Sequence, residues 1–110
     1  MYDEGLADRL RELTAGETSV SEKKMFGGLA FLIGGNMAIA ASGNGGILVR
    51  VDPAESDHIV ATTTAEEAAM RDRPMSGWLR VATEEVSTDD DLAKWVKIGT
   101  TYARSLPAKR

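Results

Sequence analysis

The stretch LAFLIGGNMAIAASGNGGILVRV, residues 29–51, decides the fold. It contains three apolar runs of strand length, which are Leu29–Ile33, Met37–Ala41 and Ile47–Val51. The residues between them are mainly glycine and asparagine, which tolerate the positive φ angles of tight hairpin turns. Strands joined by such short connections must be antiparallel, because a parallel crossover needs about a dozen residues. The middle of the chain is therefore predicted to be a β-meander.

The segment before the meander has the spacing of a helix. Its apolar residues recur on one helical face: Leu6, Ala7, Leu10 and Leu13. Asp3 and Glu4 suit the positive end of the helix dipole, and Gly16 is expected to end the helix. Residues 16–21 are polar and predict a loop.

After the meander, Asp52-Pro53-Ala54-Glu55 has the pattern of a helix start. It offers a capping aspartate, proline at the first helical position and an acid three residues after the cap. We predict a short helix to about Val60, ended by the threonines at 62–64. The sequence of Ala68–Val81 does not indicate a single type of element, although apolar and polar residues alternate over Met75–Val81 as in a half-buried strand.

The final element has the most regular pattern. Its apolar residues share one helical face: Leu92, Trp95, Val96, Gly99, Tyr102, Ala103 and Leu106. Asp89-Asp90-Asp91 suits the positive end of a helix from about Thr88 to Leu106, and Pro107 ends it. The sequence thus predicts one α+β domain over residues 1–110. In it, an N-terminal helix, a short middle helix and a long C-terminal helix pack on one face of an antiparallel sheet.

Composition limits the class of protein and its compartment. The chain has 110 residues, no cysteine and a net charge of −4. Without cysteine it can form neither a disulfide nor a thiolate metal site, which suits a reducing compartment. Met1-Tyr2-Asp3-Glu4 is acidic where a secretory signal would be basic, and no apolar run reaches a membrane-spanning length. We therefore expect a cytoplasmic protein that does not bind a membrane.

Few residues have the character of catalytic groups or metal ligands. His58 is the only histidine, and an exposed helix face accounts for it together with its neighbours Glu55 and Asp57. Gly43–Gly46 leads into a strand rather than a helix, so it predicts a hairpin turn and not a phosphate-binding loop. Asp89-Asp90-Asp91 complements the helix dipole. We predict no catalytic, cofactor-binding or metal-ligating residue and no enzymatic activity.

Cationic residues in the sheet region are the candidate interaction residues. They are Lys23, Lys24, Arg50, Arg71, Arg73 and Arg80. On an open sheet face such side chains can meet phosphate or an acidic partner. Alternatively, they lie along the sheet and pair with carboxylates, namely those of Glu66, Glu67, Glu84 and Glu85. The net charge of −4 disfavours DNA as the partner, because DNA binding depends on neutralising phosphates.

The most specific motif lies at the start of the meander and reads Lys24-Met25-Phe26-Gly27-Gly28. It is followed by an apolar strand, by Gly35-Asn36-Met37 and by Ile47–Asp52. With Pro74–Trp78 and the final helix, this pattern resembles the N-terminal domain of the TfoX/Sxy family over roughly Leu6 to Lys109. Phe26 is expected to anchor the first strand in the core, and Gly27-Gly28 to allow a sharp turn or a close backbone approach.

The resemblance implies a regulatory protein without enzymatic activity. The family is named for regulators of natural competence, which work with other transcription factors. Those regulators carry a second, C-terminal helical domain, and we expect this chain to be a single-domain member without it. Ala38 and Leu48 stand where the family often has aromatic residues. We predict a regulatory or protein-interaction module whose partner is a protein, and a DNA-binding domain that uses the sheet cations is the alternative.

Apolar strands also predict self-association. Leu29–Ile33 and Met37–Ala41 lack the charges and prolines that protect a sheet edge, so they are either central strands or covered by a partner. Ile47-Leu48-Val49 is apolar on both faces, which suits a strand buried on both sides. Because a domain with so few helices cannot cover both faces of a four- or five-stranded sheet, we predict a two-fold homodimer.

Overall fold

The order of the elements is helix, four strands, helix, two strands and helix. The computed structural model describes residues 2–25, 27–70 and 73–108, and at 70, 73 and 74 the backbone only. A short 3-10 helix at Thr83–Val86 precedes the last helix. The elements are α1 (Glu4–Leu13), β1 (Val20–Met25), β2 (Gly28–Ile33), β3 (Asn36–Ala41), β4 (Ile47–Arg50), α2 (Pro53–Thr62), β5 (Glu66–Met70), β6 (Arg73–Val81) and α3 (Asp89–Ser105).

The described strands form one antiparallel sheet in the order β1-β2-β3-β4-β6-β5. The first four strands follow chain order, as predicted for a meander, and Gly43–Gly46 lies in the hairpin between β3 and β4. After α2, the chain adds β5 and then returns to pair β6 with β4. The predicted α+β class and the three predicted helices are confirmed.

Capping side chains fix the starts of α2 and α3. The Asp52 carboxylate accepts a hydrogen bond from the backbone N–H of Ala54 at 2.9 Å. The Thr88 hydroxyl oxygen accepts one from the N–H of Asp91 at 3.1 Å. These bonds satisfy N–H groups that have no partner within the helix. The helix starts predicted from Asp52 and Thr88 are confirmed.

The helices cover one face of the sheet, where α1 and α3 pack on β3 and α2 packs on β6. The large, fully buried side chains on this face come from strands and helices alike: Leu10, Phe31, Ile39, Ile47, Val49, Leu79 and Leu92. Trp95 is also buried, as predicted. The backbones come closest at Gly99, where an added Cβ would lie 2.4 Å from the carbonyl oxygen of Ala38. Gly99 therefore lets α3 lie directly on β3.

Two predictions around the first helix are wrong. The helix ends at Leu13 with Thr14 as its C-cap, two residues before Gly16, and the Thr14 hydroxyl donates to the carbonyl oxygen of Leu10 at 2.9 Å. Residues 16–21 were predicted as a loop, but β1 begins at Val20 and pairs with β2 over its whole length. Its polar composition is that of an edge strand, which charges protect from pairing with other chains. Leu13 shares the helical spacing, yet it is 36% exposed.

The segment between α2 and β6 contains a strand that the sequence pattern does not reveal. Glu66–Met70 forms β5, and β6 begins at Arg73 rather than near Met75. The sheet therefore has six strands within the described chain rather than four or five. The apolar runs Leu29–Ile33 and Met37–Ala41 occupy the central strands β2 and β3, and the charged strands β1 and β5 form the edges.

Candidate functional site

The three described helices lie on one side of the sheet, and we call the opposite side the open face. Side chains directly opposite each other on antiparallel strands share a face. On the open face, one line of opposed residues crosses all the strands of the sheet, and we call it the cross-strand row. It consists of Lys23, Ala30, Ala40, Leu48, Arg80 and Glu66. Small and apolar side chains therefore lie between two cations.

An apolar cluster fills the centre of the open face. Ala30, Met37 and Ala40 are 1%, 5% and 6% exposed. Half-buried side chains from the strands pack around them: Met25, Leu32, Leu48 and Trp78. A concavity of about 30 Å³ lies over the two alanines, between Met37 and Leu48. This volume is close to that of one water molecule in the liquid, so the face offers a shallow recess for a small apolar group.

Arg50 is held between two aromatic rings at the end of β4. Its Cζ atom lies 5.2 Å from the ring centroid of Trp78, which is opposite in β6, and 5.6 Å from that of Tyr102 in α3. Both distances lie within the cation–π range of about 6 Å. Contacts with two rings restrict the position of the guanidinium group. Its N–H donors form no salt bridge with the carboxylates of the described residues.

The predicted cations divide between the two faces. Lys23 and Arg80 lie on the open face, since each is opposite a residue of its apolar cluster. Arg50 is opposite Trp78 at the end of β4, but its guanidinium also lies against Tyr102 of α3, so Arg50 stands at the rim of this face. Lys24 is opposite Leu29, a residue of the helix-covered core, and so belongs to the other side. The fold therefore brings three of the predicted residues to one surface.

The predicted pairing of these cations with nearby carboxylates is not observed among the described residues. Arg80 stands opposite Glu66 in the sheet, but no salt bridge joins them. Arg71 and the side chain of Arg73 lie outside the described residues. Their predicted role stays a prediction.

The arginines of the helix side behave differently, because their charges are paired. The described salt bridges join Arg9 with Asp89, Arg11 with Asp8 and Glu22, and Arg104 with Glu17. Arg11 Nε donates to Glu22 Oε2 at 2.7 Å, which ties α1 to β1. This hydrogen bond lowers the pKa of the Glu22 carboxyl below its usual value and raises the pKa of the Arg11 guanidinium further above neutrality.

The described motif residues lie at the end of β1, at Gly27 and at the start of β2, beside the open face. Gly27 has a φ of +76°, as expected for a sharp turn. A Cβ at Gly28 would lie 2.2 Å from the carbonyl oxygen of Ala41, so the predicted close backbone approach is present as well. Met25 packs on the apolar cluster. Phe26 lies outside the described residues, and its predicted place in the core stays a prediction.

A second concavity of about 450 Å³ lies between α2 and α3. Its apolar side chains include Ile59, Ile98 and Tyr102, and charged groups stand at Asp52, Glu55 and Lys97. The volume is within the range of small-molecule sites. Sequence analysis places no site here, because the same residues have the spacing of ordinary helix faces.

Residues with the character of catalytic groups or metal ligands lie apart. His58 is exposed on α2, as expected for a solvated helix face. Within the part of the chain that the structure describes, no three Asp, Glu or His residues come together as they would around a metal ion. The described helices include none that is both long and apolar enough to cross a membrane.

The family follows from a match over most of the chain. The family model described as the TfoX N-terminal domain matches residues 12–103. The chain belongs to this family. No curated protein and no solved structure gives a significant match. The resemblance seen in the motif is confirmed, and the matched region contains every described strand of this TfoX N-terminal domain.

The centre of the open face was not among the predicted interaction residues of this TfoX N-terminal domain. Ala30, Ala40 and Leu48 have the character of core residues, because β2, β3 and β4 are apolar at successive positions. The sequence does indicate a second apolar face, because a strand covered on one side alternates between apolar and polar residues and β2, β3 and β4 do not. Which face the helices leave open depends on their packing, and the sequence pattern does not specify it.

Proposed function

We propose that the chain is a non-enzymatic regulatory or protein-interaction module of the cytoplasm that contacts its partner through the open face. The observation that carries this proposal is a set of half-buried apolar side chains on a sheet face that no described helix covers. They surround the buried Ala30, Met37 and Ala40 and are Met25, Leu32, Leu48 and Trp78. Apolar patches with a polar rim are typical of protein–protein interaction sites. Lys23 and Arg80 form part of such a rim.

The regulatory part of the proposal rests on the family. Competence regulators of the TfoX/Sxy family act with other transcription factors, which are proteins that an apolar and cationic surface can bind. A chain without cysteine suits the cytoplasm. The described groups of the open face are mainly aliphatic, thioether, indole and guanidinium groups, which favour binding, whereas acid–base catalysis works best with a group that titrates near neutral pH.

Leu48→Glu tests the proposal, because it places a carboxylate in the apolar cluster. Leu13→Glu is the matched control, since it makes the same change at an exposed leucine of α1 on the helix side. Each variant replaces the chromosomal copy, and transcript levels are compared with those of the wild type and of a deletion strain. We expect Leu48→Glu to reproduce the changes of the deletion strain and Leu13→Glu to match the wild type.

Urea denaturation of the purified variants shows whether each is folded, and Lys23→Glu serves as a second open-face variant at an exposed position. Wild-type transcript levels in both open-face variants, together with altered levels in the deletion strain, would contradict the open face as the contact surface. Unchanged levels in the deletion strain would contradict the regulatory role.

A DNA-binding domain is the second candidate function, and one observation favours it. Lys23, Arg50 and Arg80 share the open face and form no salt bridge with the described carboxylates. Electrophoretic mobility shift over a salt series tests this candidate, because phosphate contacts weaken steeply as salt rises. Duplex binding that is lost in Lys23→Glu would support DNA as the target. The net charge of −4 and the apolar centre favour a protein.

A further inference from the structure

We infer that the element bound by the open face is an acidic amphipathic helix of another protein. Its apolar side chains would pack on the middle of the cross-strand row, and its carboxylates would lie beside Lys23, Arg50 and Arg80. The inference rests on the proposed function, because it names the chemistry of the partner for the same face. Three features of that face support the inference: its charge, its width, and the contacts that hold Arg50 in place.

The charges of the open face are opposite in sign to that of the whole chain. Its described strand residues carry three cations, Lys23, Arg50 and Arg80, against the carboxylate of Glu66, while the chain has a net charge of −4. The arginines of the helix side are paired with carboxylates, and these three cations are not paired within the described residues. Complementary potentials favour an acidic partner.

The width of the cross-strand row suits one helix. Lys23 and Arg80 are four strand spacings apart, which is roughly 19 Å. A helix with its side chains is about 10–12 Å wide, so one helix fits between the two cations. Ala30 and Ala40 project little from the sheet and leave the concavity of about 30 Å³ for an apolar side chain of that helix. The helix-covered face is already closed by a helix, α3, that approaches the strands closely.

Arg50 is the cation best prepared to bind a carboxylate. Trp78 and Tyr102 lie against its guanidinium group, and no described carboxylate forms a salt bridge with its N–H donors, which match the two oxygens of a carboxylate. Because the group is already oriented, less conformational freedom is lost on binding. Arg50→Lys keeps the charge but loses this paired geometry.

Other occupants fit the face less well. A two-fold dimer through this face would bring together two copies of a surface that carries more cations than carboxylates, which disfavours a second copy of the chain. The homodimer predicted from the apolar strands stays a prediction. An extended peptide pairs with a sheet edge rather than a face, and the edges β1 and β5 carry charges. The phosphates of a duplex would lie against the apolar cluster, which cannot hydrogen-bond to them.

Selection from a library of displayed helical peptides tests the inference on the full chain. Each peptide has apolar residues at i, i+3, i+4 and i+7 and random Glu, Lys, Gln or Ala elsewhere. We expect the selected peptides to carry net negative charge. We expect their Kd to rise at least about tenfold in Lys23→Glu/Arg80→Glu, since attraction becomes repulsion at both ends of the row. Arg50→Lys is also expected to raise the Kd.

The matched control is Lys94→Glu/Lys97→Glu, which makes the same change of charge at two exposed positions of α3. Its Kd is expected to stay within about twofold of wild type, because exposed charges beyond a Debye length are largely screened. Selection on Lys23→Glu/Arg80→Glu is expected to give basic peptides instead. Selected peptides without an excess of Glu over Lys would overturn the inference. An equal loss of affinity in the control variant would overturn it too, because it would place the peptides beside Lys97 in the α2–α3 concavity.

Two further outcomes would identify other occupants and overturn the inference. In sedimentation equilibrium, a mass that doubles from 11.8 kDa as protein concentration rises would identify a second copy. Displacement of the selected peptides by duplex DNA at physiological salt would identify DNA. Failure of the proposed function is seen separately, as wild-type transcript levels in both Leu48→Glu and Lys23→Glu cells while the deletion strain differs, whatever peptides are selected.

Discussion

On the helix-covered face of the sheet, Phe31, Ile39 and Leu79 are fully buried, whereas on the open face Leu48 and Trp78 stay half-buried. Leu79 and Trp78 are neighbours in one strand, β6, and face opposite sides of the sheet. The helix-covered face lies beneath three helices, and the open face is packed by its own side chains. The apolar content of a strand therefore does not tell which of its faces stabilises the fold and which is left for binding.

The charges of the two faces differ in the same way. Arg9, Arg11 and Arg104 on the helix side all form salt bridges, while Arg50 and Arg80 on the open face form none with the described carboxylates. Paired charges hold elements of one chain together, and charges without an internal partner are available to another molecule. The paired charges of the helix side therefore stabilise the fold, whereas the cations of the open face are available for binding.

The largest expected effect is the difference in stability between variants truncated on the two faces. Phe31→Ala should lower the free energy of unfolding by about 3–5 kcal/mol, because it empties a fully buried site. Leu48→Ala should cost about 1 kcal/mol or less, since water already reaches that side chain. Urea denaturation measures both. Equal losses would show that the open face contributes to the fold as much as the covered face does.

A smaller effect is expected where α3 meets the covered face. Gly99→Ala would place a Cβ against the carbonyl oxygen of Ala38 and should destabilise the protein by about 1–3 kcal/mol. Gly5→Ala in α1 is the matched control, because its Cβ would meet only the flexible side chain of Asp3. Alanine is the better helix former, so Gly5→Ala should be neutral or stabilising. Stabilisation by Gly99→Ala as well would contradict the close packing of α3 on β3.

The stacking of Arg50 is expected to contribute less. A double-mutant cycle of Arg50→Met and Trp78→Leu should give a coupling energy of about 0.5–2 kcal/mol in urea denaturation, which is the range of cation–π pairs. Lys23→Met with Trp78→Leu is the control cycle. Lys23 lies on the far edge strand, so the two changes should be additive within about 0.5 kcal/mol. Additivity in the first cycle would remove the evidence that Arg50 is preorganised.

The smallest effect concerns the Arg11–Glu22 pair of the helix side. Because the pKa of Glu22 is lower in the folded protein, the pair stabilises the fold above the unfolded-state pKa of glutamate. That stabilisation is lost as the pH falls through the folded-state pKa. Glu22→Gln should therefore be slightly less stable than the wild type at pH 7, and the difference should shrink as the pH falls below the unfolded-state pKa of glutamate. A difference that does not shrink as the pH falls would mean that Glu22 acts through packing.

Elements with a strong local signal were predictable from the sequence. Asp52 and Thr88 are caps next to helical patterns, and the glycines between β2, β3 and β4 specify hairpins, so these elements agree with the structure. β5 was missed, and β1 was indicated only at its end by Met25-Phe26. Both are edge strands, whose charged residues protect the sheet and hide the alternation of a strand.

The candidate site could be predicted only in part. Lys23, Arg50 and Arg80 were named from their charge and their place in the sheet region, but nothing local separates them from Lys24, which lies on the other face. That separation depends on the register of the strands. The stacking of Tyr102 on Arg50 depends on where the end of α3 lies over the sheet, which is a long-range feature.

Site-specific photo-crosslinking in cells tests the central claim most directly, namely that the open face contacts another protein. A photoreactive amino acid is placed at position 48, with position 13 of the helix side as the control. We predict that position 48 forms a light-dependent adduct with a different protein, that its crosslinked segment is an acidic amphipathic helix, and that position 13 forms no such adduct. Equal adducts at both positions, no adduct at position 48, or an adduct with a second copy of the chain would contradict the account.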